Sequence, residues 1–323
     1  MSEKRYYTFG RYLRERFGER VHKIAIDAGF TCPNLDGLKS SKGCSYCNNS
    51  GFSYNSRRSI RPISEQIEQG IAFMRKRFKA RKFMAYFQAF SNTYAPLREL
   101  KQTYDQILPW REHFVAMSVG TRPDCVSPGA LDLLEGYTDL FEVWVEYGLQ
   151  SSHNRTLERI NRCHTVERFL QTIEITAQRN LKTCVHVILG LPGETHADMM
   201  QTADLLATLP FHSLKVHLLH IMKHTVLEQE YMAGRVPIFS MDEYVQTCVD
   251  FLERIPPHVS IQRLTADAPS DVLVAPLWCQ QRKQIYDRID QELERRNSCQ
   301  GRCCSTGERS YEKNWKYYDA KAG

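Results

Sequence analysis

The sequence predicts an α/β fold in which parallel strands alternate with crossover helices. Short β-branched or aromatic runs alternate with longer amphipathic stretches along most of the 323 residues, a pattern typical of β–α–β units. Polar clusters, four of which contain glycine, follow six of the strand runs. Because the carboxyl ends of parallel strands meet at one rim of a barrel, these clusters are expected to lie together there.

Each predicted element follows from this pattern in chain order. Seven short apolar runs are predicted as strands, namely Val21–Asp27, Phe83–Gln88, Phe114–Val119, Glu142–Tyr147, Cys184–Leu189, Leu214–Leu219 and Val259–Leu264. The stretches between them have the apolar spacing of amphipathic helices, namely Ile63–Phe78, Pro96–Leu108, Pro128–Gly136, Asn154–Ile160, Val166–Arg179, His196–Leu209 and Asp242–Ile255.

Composition restricts the class of protein. No apolar run approaches the roughly 20 residues of a membrane helix, and the first residues, Met1 to Tyr7, are polar and charged. Eleven cysteines is an odd number, which favours a reducing compartment and thiols used as ligands rather than disulfides. We therefore expect a cytoplasmic protein without a membrane partner.

Two stretches carry an excess of basic residues. Residues 57–82 hold nine Arg or Lys against two Glu, and residues 1–23 mix basic side chains with five aromatic ones. Basic groups bind phosphates, and aromatic faces stack on unpaired bases. Each stretch alone is more typical of a solvated helix face whose aromatic residues fill the core, and the two together are compatible with a polyanionic partner.

Three cysteines near the N-terminus form the most specific motif. Cys32, Cys44 and Cys47 have the spacing C-x11-C-x2-C, and no fourth cysteine stands close by. A closed zinc site has four protein ligands, so three thiolates indicate a metal centre with one open position. Zinc with a fourth ligand from a histidine or a distant cysteine remains the alternative.

Several further motifs carry a family resemblance. They are Asp27-Ala28-Gly29-Phe30-Thr31-Cys32-Pro33-Asn34, Tyr86-Phe87-Gln88-Ala89-Phe90-Ser91-Asn92-Thr93-Tyr94-Ala95-Pro96, Tyr147-Gly148-Leu149-Gln150-Ser151, Gly190-Leu191-Pro192-Gly193-Glu194-Thr195 and Gln262-Arg263-Leu264-Thr265-Ala266-Asp267-Ala268-Pro269. With the cysteine motif, they make the chain resemble the radical S-adenosylmethionine (SAM) enzymes. More closely, it resembles the YhcC/YtqA family, which is related to the radical SAM part of the Elongator catalytic subunit.

The resemblance implies a fold and two cofactors. The fold is a partial (β/α) barrel of the radical SAM type over residues 1–297, with a basic N-terminal arm, followed by a short cysteine-containing C-terminal extension over 298–323. Cys32, Cys44 and Cys47 are implied to hold a [4Fe–4S] cluster whose fourth iron binds SAM. Reductive cleavage of SAM then yields a 5′-deoxyadenosyl radical that abstracts hydrogen from the substrate.

The resemblance also implies SAM contacts. Gln88, Ser91 and Asn92 match the turn that meets the methionine amino group, although Gln88-Ala89 replaces the usual glycine pair. Gln150 and Ser151 match positions facing the ribose or carboxylate, Arg162 matches an arginine that pairs with the carboxylate, and His186 and Gly190 lie on the strand that flanks the adenosine.

Each of these contacts has a structural alternative. Gln150 is equally suited to satisfy backbone groups at a strand end, and His186 to be a core histidine. Arg162 also fits a cation at a helix C-terminus. The resemblance assigns no residue to the substrate radical itself.

The resemblance points to tRNA as the substrate, with a wobble-uridine side chain remodelled from the carboxymethylaminomethyl to the aminomethyl type. A low-potential electron donor such as flavodoxin or ferredoxin is then required. The alternatives are a radical SAM enzyme acting on a small metabolite or peptide, and a non-catalytic metal-bearing RNA-binding protein.

Cys299, Cys303 and Cys304 depart from the family pattern. A second metal site, a redox switch and a chance cluster all remain open for these three cysteines.

Overall fold

A computed structural model of the chain describes residues 4–48, 60–266 and 268–304. Its strands are β1 (Val21–Ile26), β2 (Lys82–Phe87), β3 (Phe114–Thr121), β4 (Glu142–Gln150), β5 (Lys182–Leu189), β6 (Ser213–Leu218), β7 (Ile221–Met222), β8 (Ser260–Arg263) and β9 (Leu273–Ala275). Seven of them form one sheet in the order β1-β2-β3-β4-β5-β6-β8, with every neighbouring pair parallel. β7 and β9 pair separately and antiparallel.

The helices lie between the strands. They are α1 (Phe9–Phe17), α2 (Ile63–Phe78), α3 (Leu97–Tyr104), α4 (Pro128–Glu135), α5 (Asn154–Arg159), α6 (Val166–Ala177), α7 (His196–Ala207), α8 (Val226–Met232), α9 (Met241–Leu252) and α10 (Arg282–Arg295). Short 3₁₀ segments cover Asp105–Trp110, Pro123–Cys125 and Leu277–Gln280. No helix within the described part of the chain has both the length and the apolar character to cross a membrane.

The predicted elements are confirmed, and three helices were not predicted. All seven predicted strands are present with boundaries within three residues, and the predicted helices are present with shorter or equal lengths. The helix predicted over Pro96–Leu108 ends at Tyr104 and continues as a 3₁₀ segment that contains Pro109, because proline lacks the N–H of the α-helical ladder. The helices α1, α8 and α10 are additional.

The sheet is an open half-barrel, which confirms the predicted partial (β/α) barrel. Its edge strands β1 and β8 are not paired with each other. A single bridge from Thr8 to Ile261 and a hydrogen bond from Lys23 Nζ to Gln262 Oε1 of 2.6 Å span the gap. Every crossover runs through helices that pack on the outer face of the sheet, where most of the apolar core lies.

Helix α1 closes the amino end of the barrel. Phe9 and Leu13 point into it and pack against Trp144, Met84 and Cys184, with the rings of Phe9 and Trp144 edge to face at 5.2 Å. The aromatic residues of the basic N-terminal arm therefore contribute mainly to packing, in agreement with the structural interpretation of that stretch.

The start of the C-terminal extension is docked on the barrel. Gln300 is 5% exposed, and its Nε2 donates to the carbonyls of Pro256 and Val259 at 2.7 and 2.8 Å. The Cys303 N–H donates to the carbonyl of Glu253 at 2.7 Å. Residues 298–304 therefore pack against the barrel, the boundary predicted at residue 297 stays a prediction, and residues 305–323 lie outside the described part of the chain.

Candidate metal centre and cofactor site

The loop after β1 carries all three cysteines of the motif. Two turns shape it: the Leu35 N–H donates to the Cys32 carbonyl at 2.8 Å, and the Cys47 N–H donates to the Cys44 carbonyl at 2.9 Å. The Ser45 N–H donates to the carbonyl of Ile160 at 2.9 Å, which ties this loop to the one that follows α5. The cysteine loop is thereby held at the carboxyl ends of the strands, as predicted.

The three thiols lie near one another and are not oxidised to disulfides. Cys44 is buried, while Cys32 and Cys47 are partly exposed. Burial raises the pKa of the Cys47 thiol, and the neighbouring Cys44 and Cys32 raise it further, whereas Arg162 and Arg122 oppose the shift. A bound metal would lower the pKa of this thiol, because coordination favours the thiolate.

The donor set fits an iron–sulfur cluster better than a single zinc ion. Tetrahedral Zn–S bonds of about 2.3 Å place sulfurs within about 4 Å of one another. Among the described residues, only Glu146, Cys184 and His186 bring three potential ligand atoms within 4.8 Å, so the three motif sulfurs are more widely spaced than that. Three soft thiolates at wider spacing are typical of a cluster with one open position.

Arg162 and Asn34 lie beside the buried ligand. Arg162 Nη1 is 3.6 Å from the Cys44 Sγ, and its Nη2 donates to the Gly148 carbonyl at 2.8 Å. Asn34 Nδ2 is 3.5 Å from the same sulfur and donates to the Asn161 carbonyl at 2.8 Å. N–H groups directed at a cysteine sulfur stabilise negative charge on a cluster and tune its reduction potential.

Burial alone would lower the pKa of Arg162, but Tyr46 and Cys44 raise it, so the guanidinium stays charged. Its Nε is buried without a hydrogen-bond partner. The structure thus directs Arg162 at the Cys44 sulfur, and its predicted pairing with the SAM carboxylate stays a prediction.

The end of β4 is folded tightly against Arg162. Gln150 has φ of 77°, a left-handed conformation that costs about 1–3 kcal/mol at a non-glycine residue. The pairing of β4 with β5 shifts register between Gly148 and Gln150. A Cβ on Gly148 would lie 2.6 Å from Arg162 Nη2 and from Gln150 Nε2, so only glycine permits this approach. Gln150 is therefore held beside Arg162 by a constrained backbone, and its predicted contact with SAM stays a prediction.

The turn over residues 88–93 contacts the cysteine loop directly. The Ser91 N–H donates to the Thr31 carbonyl at 3.2 Å. Asn92 is fully buried, and its Nδ2 donates to the carbonyls of Ala89 and Gly120 at 2.8 and 2.9 Å. Asn92 therefore holds the turn itself, and only its Oδ1 lacks a partner. The predicted SAM contacts of Gln88, Ser91 and Asn92 stay predictions.

Ser151 and Gly190 have structural roles that account for their identity. The Ser151 hydroxyl donates to Glu194 and accepts from the His153 N–H at 3.0 Å. Gly190 has φ of 86°, and a Cβ there would lie 2.9 Å from the ring of Phe239. Both residues lie at the expected rim, but neither contact by itself points to SAM.

His186 lies deeper in the barrel, within a buried charged network. The Glu146 carboxylate accepts hydrogen bonds from Lys215, from Lys23 Nζ at 3.1 Å, from His186 Nε2 at 2.9 Å and from the Ser118 hydroxyl at 2.7 Å. Burial would raise the pKa of Glu146, but Lys215 and Lys23 outweigh it and lower the pKa well below its usual range. Burial and Lys215 lower the pKa of His186 to about 4, so the ring is neutral near pH 7.

This network also explains why the Glu146, Cys184 and His186 trio is not assigned a metal. Burial raises the pKa of the Cys184 thiol to about 12, so the sulfur stays protonated. Two lysines already neutralise the carboxylate. A cation would have to displace both ammonium groups in the absence of bulk solvent.

Sequence reasoning missed Glu146, Lys215, Lys23 and Asn34. Glu146 and Lys215 could have been found from the sequence, because each is the single charged residue in the apolar middle of a predicted strand. A charge buried in a strand needs a partner. Asn34 had no comparable signal, because its role depends on Cys44, ten residues away along the loop.

Replacing Cys44 by alanine is expected to abolish cluster binding. Anaerobically reconstituted wild-type protein should hold about four irons per chain, and the variant should hold little iron. Cys125→Ala is the matched control, because Cys32 lies close enough to Cys125 to contribute to the raised pKa of its thiol, yet Cys125 lies outside the motif. Iron analysis and visible absorbance check both variants, and full iron content in Cys44→Ala would contradict the ligand assignment.

Replacing Arg162 by glutamine is expected to keep the iron but to make the reduction potential of the cluster more negative, because an N–H donor and a positive charge leave the Cys44 sulfur. Arg159→Gln is the control, since Arg159 is paired with Glu230 on the surface. An unchanged potential together with a loss of SAM affinity would instead place Arg162 on the SAM carboxylate.

Curated proteins of two bacteria resemble this chain over most of their length. YtqA of Bacillus subtilis is 36% identical over 301 residues, which cover 93% of each chain. YhcC of Escherichia coli K12 is 38% identical over 286 residues, which cover 88% of this chain and 91% of the relative. A more distant relative, named tRNA uridine(34) acetyltransferase, of Dehalococcoides mccartyi, is 24% identical and covers 57% of this chain and 39% of its own length.

Fold comparison and family models agree with these relatives. The solved structure of the archaeal Methanocaldococcus infernus Elp3 superposes with a TM-score of 0.63 at 18% identity, covering 87% of this chain and 64% of that one. The Radical SAM superfamily model matches residues 40–206, and the Radical_SAM C-terminal domain model matches residues 211–295. The chain therefore belongs to the radical SAM superfamily, within the YhcC/YtqA family, and is an enzyme whose cofactors are a [4Fe–4S] cluster and SAM.

Proposed function

We propose that this enzyme modifies the side chain of the wobble uridine in tRNA, remodelling a carboxymethylaminomethyl group toward an aminomethyl group. When bound, the cluster and SAM supply a 5′-deoxyadenosyl radical that abstracts hydrogen from the substrate. The protein residues then have to hold the cluster, orient SAM and admit an everted base to the barrel. Cys32, Cys44 and Cys47 would hold the cluster, with Arg162 and Asn34 beside the Cys44 sulfur.

The observation that carries this proposal is the similarity to tRNA uridine(34) acetyltransferase over 57% of the chain. Because the match covers only 39% of that relative, we carry over the tRNA uridine as substrate and not the acetyl transfer. The Elp3 structure supports a shared fold. A base must leave its stack to reach chemistry inside a protein pocket, and an open half-barrel provides the necessary access.

The position of the basic stretch over residues 57–82 bears on which end of the barrel would bind RNA. Helix α2 ends at Phe78, and β2 begins at Lys82. The basic residues in the last turn of α2, which include Arg75, therefore lie at the amino ends of the strands. Arg75 Nη2 is 3.4 Å from His113 Nδ1, just before β3. At about 3.3 Å per residue, a strand of six to eight residues separates this end from the cysteine rim by about 20–25 Å.

Two exposed lysines lie at the rim instead. Lys42 is exposed and precedes Cys44 by two positions. Lys223 is exposed, and its carbonyl accepts a hydrogen bond of 2.7 Å from Asn48 Nδ2 in the cysteine loop. We therefore place the anticodon backbone near these two lysines.

The electrons for the reductive cleavage of SAM would come from a low-potential donor such as flavodoxin or ferredoxin.

Deleting the gene is expected to change the wobble nucleosides of tRNA. Mass spectrometry of digested tRNA should show more carboxymethylaminomethyl uridine and less of its aminomethyl derivatives. Wild-type protein should restore the normal pattern, and Cys44→Ala should not. An unchanged nucleoside profile would contradict the tRNA substrate and favour a small metabolite or peptide.

Reversing charge at the rim is expected to weaken tRNA binding. The variant Lys42→Glu/Lys223→Glu should lose affinity for tRNA and show a shallower salt dependence, because fewer counterions are released on binding. Arg75→Glu/Arg77→Glu is the matched double reversal at the opposite end of the barrel. Uncoupled SAM cleavage should be normal in both proteins. A larger loss of affinity in the Arg75/Arg77 variant would move the RNA surface to the amino end.

A further inference from the structure

The interior of the half-barrel has an excess of positive charge. Its carboxylate, amine, guanidinium and imidazole groups belong to Lys23, Glu146, His186, Lys215, His217 and Arg263, which we call the lumen cluster. Glu146 is the single carboxylate among them, against three cations. Burial lowers the pKa values of both histidines, so neither adds charge near pH 7. Two positive charges in the lumen cluster are therefore not balanced within it.

Arg263 is the cation of the lumen cluster that has no bonded partner in the part of the chain that the structure describes. Lys215 and Lys23 are both engaged by Glu146. Arg263 is half-buried on β8 and pairs through its backbone with Lys215 of β6, just after a register shift. Because Lys215 bonds to Glu146 in the lumen, its register partner Arg263 lies on the same face of the sheet, in agreement with its influence on the pKa values of Tyr86, His186 and His217. Within the described residues, no hydrogen bond or ion pair to its side chain is present.

Two further polar atoms near Arg263 are buried without a partner. Lys23 donates to Gln262 Oε1 at 2.6 Å, which leaves the Gln262 Nε2 unpaired. The His217 Nε2 is likewise buried and without a hydrogen bond. Unsatisfied buried polar groups are costly and rare in native proteins. A planar guanidinium fork, an amide N–H and an imidazole nitrogen together form a donor set that suits a carboxylate.

We propose that Arg263, together with Gln262 and His217, binds a carboxylate group of the substrate inside the half-barrel. This inference rests on the proposed function, in which the carboxymethylaminomethyl side chain carries such a carboxylate. A phosphate is less suited, because base flipping brings the base into the pocket and leaves the phosphodiester backbone outside. The lumen cluster would then be neutralised further only when a carboxylate-bearing substrate is bound.

The first test compares two anticodon stem-loop RNAs, one with carboxymethylaminomethyl uridine and one with aminomethyl uridine at the wobble position. Reconstituted wild-type enzyme should bind the carboxylate-bearing RNA more tightly by about 10- to 100-fold, the range for one charge-assisted hydrogen-bonded contact. Arg263→Gln should remove this preference, and Arg263→Lys should restore part of it. Arg288→Gln, which alters an exposed arginine paired with Asp242, should keep it. A preserved preference in Arg263→Gln would overturn the proposal.

The second test separates substrate recognition from SAM binding. SAM affinity, iron content and uncoupled deoxyadenosine formation of Arg263→Gln should equal those of the wild type, because the proposal places Arg263 on the substrate alone. A parallel loss of SAM affinity would assign Arg263 to the SAM carboxylate and overturn the proposal. Thermal melting of the variant checks that it is folded, and Arg263→Lys provides a second variant if Arg263→Gln is not.

A third measurement distinguishes failure of this inference from failure of the proposed function. Acetate should raise the melting temperature of the reconstituted wild type more than acetamide with chloride at equal ionic strength, and Arg263→Gln should abolish the difference. If the wild type does not bind either RNA, an acetate effect that depends on Arg263 still supports a carboxylate site, while the tRNA proposal fails. Absence of that effect together with absence of RNA binding overturns the carboxylate site as well.

Discussion

The buried carboxylate of Glu146 is the interaction on which the interior of the half-barrel depends. Side chains from β1, β3, β5 and β6 all donate hydrogen bonds to it. Removing one member of a buried ionic network leaves the remaining charges uncompensated, which typically costs about 3–5 kcal/mol. Because strands from both halves of the sheet converge on this one group, it sets their separation across the lumen. The rim above it is positioned by the same strands.

The lumen places one carboxylate among several cations, whereas the rim places cysteine thiols beside two arginines. The thiols of Cys44 and Cys47, which would be anionic when they bind metal, lie near the guanidinium groups of Arg162 and Arg122. Arg122 is itself oriented by a bidentate pair with Asp124, at 2.9 Å for each bond, and donates to the Arg162 carbonyl. Negative charge at the cysteines is thus opposed by two arginines that are fixed in place. Such an arrangement favours thiolate ligands and also a reduced cluster.

The two ends of the barrel serve different purposes, although both are rich in polar residues. The amino end is closed by α1, whose aromatic residues pack against Trp144, and its basic side chains project from that closed end. The carboxyl end collects the cysteine loop, the turn over residues 88–93 and the end of β4. Net positive charge near the amino end therefore says little about where a substrate enters. Access to the lumen depends on the rim, where the connecting loops lie.

By itself, the sequence determined the seven strands, the α/β class and the three-cysteine motif at the rim, because these depend on local periodicity and short spacing, while the role of the three cysteines as cluster ligands stays a prediction. The family motifs also placed Gln150, Ser91 and Arg162 at the correct end of the sheet, as parallel strands require. Only the tertiary structure showed that Arg162 approaches the Cys44 sulfur, that His186 bonds to Glu146 and that the Arg263 side chain has no hydrogen bond or ion pair with the described residues. These relations join residues that are distant along the chain: Arg162 and Cys44 lie in two loops at the rim, and His186 and Glu146 lie on the neighbouring strands β5 and β4. Local patterns contain no information on such distances, which is why burial and pairing had to come from the fold.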